Sequence, residues 1–189
     1  MRRQPPSPLL IWREFHWAFF LNVQGLIICL GRFEAKLQRG NLKAAEEELR
    51  AAVVLLTASA ASMELAASFP REVYENTVRV SMMPPSVRSD NFSGLMSWEH
   101  GVLINLWRRL RPVFIDLPEP LTAAHADFVR AYQYLATSHT GVCAKFVGEA
   151  AGSLRFGERN AVETLRRFGR SRLGLIDPLE KNKGCPFTP

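Results

Sequence analysis

Four histidines, His16, His100, His125 and His139, are the side chains with the widest chemical reach in this sequence. His139 belongs to a run in which Phe128, Tyr132, Leu135, His139, Val142 or Cys143, and Phe146 recur at spacings of three and four. Such a run occupies one face of a helix, so the imidazole falls on the stripe that faces a core. Two chemistries suit that place. One is a buried ring whose nitrogens are satisfied by hydrogen bonds. The other is a neutral imidazole holding a metal, iron above all, inside a helical bundle. His100 follows a similar stripe with Met96, Leu103, Trp107 and Leu110, but stands beside Glu99 near the start of its helix. His16 shares an aromatic face with Phe20, and His125, with Asp127 close by on an early helical turn, is expected to be exposed.

Other chemistries lose their usual support. No two histidines have the His-Glu-x-x-His spacing of a local zinc site, and no Gly-x-Ser-x-Gly elbow, phosphate-binding glycine loop or dinucleotide fingerprint occurs. Cys29, Cys143 and Cys185 have neither metal-ligand spacing nor an even-numbered disulfide framework. Cys29 and Cys143 lie in apolar helical runs and read as small buried hydrophobes, which suits a reducing cytoplasm.

The elements that must position these side chains are helical, for strand alternation is almost absent. The pattern predicts a first helix from Pro8 to Gly40 and a second from Asn41, a competent cap, through an alanine-rich run to Ser68. After Pro70 comes a short element, Arg71–Val80, and then a loop, Ser81–Asn91, in which Pro84-Pro85 disfavours regular structure. A third helix is expected over Ser93–Leu110, ended by Pro112, and a fourth over Leu121–Glu149. Beyond Asp177-Pro178 the tail reads as irregular. With no internal repeat and no linker, 189 residues make one all-α domain, a bundle of four or more helices.

Charge and hydropathy narrow the partners. The net charge is +6, concentrated in Arg108-Arg109-Leu110-Arg111 and Arg166-Arg167-Phe168-Gly169-Arg170. Both patches fall on predicted helices with apolar residues opposite, which reads as a solvated face, and no nucleic-acid motif accompanies them. Leu9 to Leu30 is apolar but contains Arg13, Glu14, His16, Asn22 and Gln24, too polar for a spanning helix and without a secretory signal's order. A cytoplasmic protein with no nucleic-acid or membrane partner is expected. The apolar first helix and small-residue second helix suit a homo-oligomer, a dimer or tetramer.

Two blocks carry a resemblance. Val78 to His100 reads VRVSMMPPSVRSDNFSGLMSWEH, with Ser93-Gly94-Leu95-Met96-Ser97 at its helix start, and His139 to Ser153 reads HTGVCAKFVGEAAGS, with Gly148 nine places after the histidine. In order and separation the two blocks resemble the haem-dependent aromatic oxygenases, the superfamily of tryptophan dioxygenase. The phrase around Arg79 and Met82-Met83-Pro84-Pro85 looks more similar to its amino-acid and tyrosine hydroxylase branch. The resemblance implies haem b as cofactor, with His139 as the proximal iron ligand and the bend at Gly152 and Ser153 against the cofactor. It implies Arg79 as the group for a substrate carboxylate, ahead of Arg88, because a guanidinium grips a carboxylate with two hydrogen bonds. Ser93 and Gly94, at a helix start, would bind an anionic group of substrate or haem. Where the dioxygenases place a distal histidine on the first helix, register here falls at Leu21 and Asn22, with His16 more than a turn earlier. His16 and Asn22 are therefore the candidate catalytic residues.

The function expected is a haem-dependent oxygenase that hydroxylates an amino acid or derivative, tyrosine-like in preference, with oxygen or peroxide. The departures at the distal position and in the loop point away from ring opening. Three alternatives stand beside it: a haem sensor or carrier without turnover, a dioxygenase or N-hydroxylase acting on tryptophan or arginine, and a cofactor-free helical module.

Overall fold

Ser7 opens the first helix by accepting a hydrogen bond from the Leu10 amide, with Pro8 as the first helical residue, where its missing N–H costs nothing. The computed structural model describes residues 6–88, 97–148 and 160–179. Helix α1 runs Pro8–Gln38 and α2 runs Leu42–Ala66, capped by the Asn41 side chain. Residues 71–81 form α3, made of Arg71–Val73, a wider π-helical turn Tyr74–Val78 and Arg79–Ser81. Helix α4 is Trp98–Ile115 and α5 is Thr122–Val147, entered through a 3-10 turn, Glu119–Leu121. Helix α6 is Ala161–Ile176, capped by the Asn160 side chain. The fold is all-α, and no strand occurs among the described residues.

Helix α1 packs along α2, α2 along α5, and α6 against α5 and α4, while α4 returns against α1. The α1–α2 approach is close because Gly25 has no side chain: a Cβ there would stand 3.2 Å from a Leu55 methyl. The core holds Leu26, Leu30 and Phe33 of α1, Leu49 and Leu56 of α2, Leu110 of α4 and Phe128 of α5, none more than 1% exposed. By length and composition α1 and α2 could each cross a membrane, but one face of each is buried in this core. Trp17, Leu21 and Ile28 of α1 and Trp98 of α4 remain exposed.

Two expectations are corrected. Pro112 does not end its helix; α4 continues to Ile115. Proline removes one hydrogen bond from the ladder, but the extra turn buries Phe114 beside Phe33, Phe128 and the ring of His125, which offsets the loss. His125 is not exposed either. Its Nε2–H donates to the Ile176 carbonyl at 2.7 Å and its ring stacks on Phe114, so it fastens the start of α5 to the end of α6. The predicted helix start at Ser93 lies outside the described residues; Ser97 caps α4 by accepting from the His100 amide.

Candidate cofactor pocket

The rotation of α5 decides where His139 points, and polar ties fix that rotation. Glu64 of α2 accepts hydrogen bonds from Ser138 at 2.6 Å and Tyr134 at 2.9 Å, and Lys145 donates to the Ala67 carbonyl at 2.6 Å. With those side chains held against α2, Tyr132, Leu135, Ala136 and His139 line a cavity among the helices. The helix stops at Gly148, whose φ of +81° is a conformation that glycine adopts without strain.

The cavity has a volume of about 60 Å³, space for a few waters. Phe19, Val23 and Leu26 reach it from α1, Leu56 and Ser59 from α2, His100, Leu103, Ile104 and Trp107 from α4, and Leu165, Gly169 and Arg172 from α6. Its walls are thus mostly apolar, and its polar groups are two imidazoles, an indole N–H, two hydroxyls and a guanidinium.

Those polar groups are poorly matched to one another. The Nδ1 of His100 and the Nε1 of Trp107 are buried without a hydrogen-bond partner. An unmet buried group of this kind costs roughly 1–3 kcal/mol. The His139 ring makes no hydrogen bond to a described residue, so the reading of a satisfied core histidine finds no partner to support it. Burial pushes the His139 imidazole down to about 4, with the charge of Arg172 and then His16 adding to the effect. His100 falls to about 4 for the same leading reason, helped by Arg172 and His139. Both rings are therefore neutral near pH 7, the form in which an imidazole nitrogen can bind a metal.

Next along α5, a separate cluster encloses His16. Its Nδ1–H donates to the Trp12 carbonyl at 2.7 Å, and its ring lies 4.1 Å from that of Trp12. Tyr74 of α3 stacks on Phe146 of α5 at 4.4 Å with ring planes 6° apart, and Trp12 and Phe69 pack around them. His16 acts on His139 electrostatically but is not in the cavity lining.

The other candidates are dispersed. Asn22 is half-buried on α1 but does not line the cavity, where Phe19, Val23 and Leu26 do. Arg79 is half-buried on α3 near Tyr74, away from the cavity walls, and Arg88 is exposed. Ser93, Gly94, Gly152 and Ser153 lie outside the described residues. Sequence reasoning left His100, Trp107, Tyr132 and Arg172 without a role. The signal for the first two was their i, i+7 spacing on α4, and for Arg172 the stripe Leu165, Gly169, Arg172, Ile176 at intervals of four, three and four.

The donor set can be tested against haem. Among the described residues no three His, Cys, Asp or Glu side chains gather as ligands, so an ion needing a full protein shell is not provided for. A porphyrin iron brings four nitrogens of its own and needs one or two imidazoles, apolar walls and a cation for its carboxylates. The residues fit in kind. In size, the cavity alone is far below the roughly 300–1,000 Å³ of sites for ligands of drug size. However, a groove of about 700 Å³ between α5 and α6 adjoins it across a shared wall of Tyr132, Ala136, Leu165 and Gly169.

Helices that converge two neutral imidazoles on an apolar cavity give this all-α protein a candidate cofactor pocket. Its lineage can be stated more closely. Residues 2–127, 126 of the 189, match the SfmD 3-methyl-L-tyrosine peroxygenase family, and the chain belongs to that family. It is similar to a 3-methyl-L-tyrosine peroxygenase of Streptomyces lavendulae, 30% identical over 168 residues, which are 87% of this chain and 46% of that protein. A match of that extent, wherever it begins, runs through both His100 and His139. The chain thus spans about half the length of this relative. No solved structure matches it.

Proposed function

We propose that this chain houses the haem of a peroxygenase that hydroxylates a tyrosine-like amino acid, with hydrogen peroxide as the oxidant. The observation that carries the reading is the cavity itself. His100 and Trp107 have buried polar atoms without partners, and His139 is neutral and makes no hydrogen bond to a described residue, in a chain similar to a protein named for this reaction. The same features support placing the chain with the haem-dependent aromatic oxygenases that its two blocks resemble.

In this reading His139 holds the iron, and the hydrogen bonds from Ser138 and Tyr134 to Glu64 keep its ring turned inward. His100, kept neutral by burial, has its Nδ1 free for a hydrogen bond to a bound ligand. Trp107, Leu103 and Phe19 keep bulk water out. Bound haem would supply the activation of peroxide and the transfer of oxygen. In the net reaction the O–O bond of peroxide breaks, one oxygen enters a ring C–H bond as hydroxyl, and the other leaves as water. Because the cavity is small and the groove large, loading is expected to part the wall shared by α5 and α6.

The test is product analysis. Haem-loaded protein is given peroxide and either tyrosine or 3-methyl-L-tyrosine. One added oxygen atom by mass spectrometry, carrying label from labelled peroxide, supports the reading. Consumption of peroxide with no labelled product would favour a haem carrier or sensor.

A further inference from the structure

Arg172 is a guanidinium without a carboxylate. Six other arginines form ion pairs with Asp or Glu, among them Arg109, which grips Glu34 with contacts of 2.8, 2.8 and 3.1 Å. Among the described residues Arg172 has no acidic partner. It lies against the Phe168 ring, with Cζ 5.4 Å from the ring centre, and shares a hydrogen bond with the Tyr132 hydroxyl. That hydroxyl donates in turn to the Gly169 carbonyl at 3.3 Å, which leaves the oxygen free to accept from the guanidinium. A phenol on one edge and an aromatic face on the other hold the fork in place, and no described carboxylate answers its charge.

The cation also faces two imidazoles whose charged forms it disfavours. It lines the cavity and acts electrostatically on both His100 and His139. On the same walls is the indole N–H of Trp107, which is 2% exposed and has no acceptor, with its ring packed edge-on against Tyr132 at 5.3 Å. A two-oxygen anion meets both deficits, since one planar carboxylate can take paired hydrogen bonds from a guanidinium. Burying a cation without such a partner is costly.

We infer that Arg172, oriented by Tyr132 and accompanied by Trp107, is a carboxylate-binding site on the wall of the His139 cavity. The carboxylate has two possible owners, the amino-acid substrate or the edge of a haem. The inference deepens the function proposed above and rests on it for the choice of ligands. It also reassigns carboxylate recognition from Arg79, which is away from this cavity.

The experiment compares wild type with Arg172→Met and Arg172→Lys, each checked for helicity by circular dichroism. Calorimetry on the haem-free chain with 3-methyl-L-tyrosine and with its decarboxylated amine reads the substrate arm and needs no haem. Titration with haem and with its dimethyl ester, followed by absorption, reads the cofactor arm. If the substrate owns the site, Arg172→Met weakens the amino acid about tenfold to a hundredfold, leaves the amine unchanged, and Arg172→Lys falls between. If haem owns it, the same loss appears for haem and not for its ester. The inference is overturned if carboxylate and carboxylate-free forms respond alike to Arg172→Met, or if neither responds in a variant that folds. A chain that binds no haem but still loses amino-acid affinity would sink the haem reading and keep this one.

Discussion

Two neighbouring regions of α5 are built from similar residues to different ends. Around Phe146, rings from Trp12, His16, Phe69 and Tyr74 stack, and the His16 N–H has the Trp12 carbonyl as partner. About two to four turns earlier along the helix, His139 and Tyr132 face His100, Trp107 and Arg172, where an imidazole nitrogen and an indole N–H lack partners and the cation has no acidic partner among the described residues. Aromatic content does not separate the regions; polar satisfaction does. Proteins keep few unmet buried groups, so a cluster of them around one cavity is the feature on which the proposed ligand site rests.

The comparison can be broken most forcefully in the satisfied region. Phe146→Ala removes the centre of the ring stack and is expected to cost about 3–5 kcal/mol in chemical unfolding. The haem absorption per folded molecule should persist, because the ring does not line the cavity. Loss of haem at full stability would contradict the division of roles.

Acid sharpens the contrast with a smaller effect. His100 and His139 have folded values of about 4 against an ordinary 6.5, so the unfolded chain binds protons first as pH falls. Stability of the haem-free protein is therefore full above about pH 6.5, declines as pH falls, and levels off near 4. A loss of up to about 3 kcal/mol for each ring sets the scale. Replacing both with Gln should remove most of the slope. His16 and His125 are lowered too, but each retains a backbone hydrogen bond that opposes the shift, so their Gln variants should remove less.

How much of this was legible depends on the physics involved. Helix positions follow from capping and periodicity, which are local, so Pro8, Asn41 and the α5 stripe led to the right elements. Pro112 misled because the burial of Phe114 is a tertiary gain that sequence does not display. His139 was readable as an inward residue. Which groups meet it was not, since His100, Trp107 and Arg172 come from helices whose relative rotation is set by contacts such as Arg109–Glu34 and His125–Ile176. Arg172 was hidden by its company: on a helix with Arg166, Arg167 and Arg170 it passes for one more solvated charge.

The most direct measurement is the absorption spectrum of haem-reconstituted protein with His139→Ala set beside His16→Ala. The account predicts that the Soret band is lost or shifted to that of free haem in the first and keeps its wild-type position in the second. A native spectrum at full haem content in His139→Ala would contradict it.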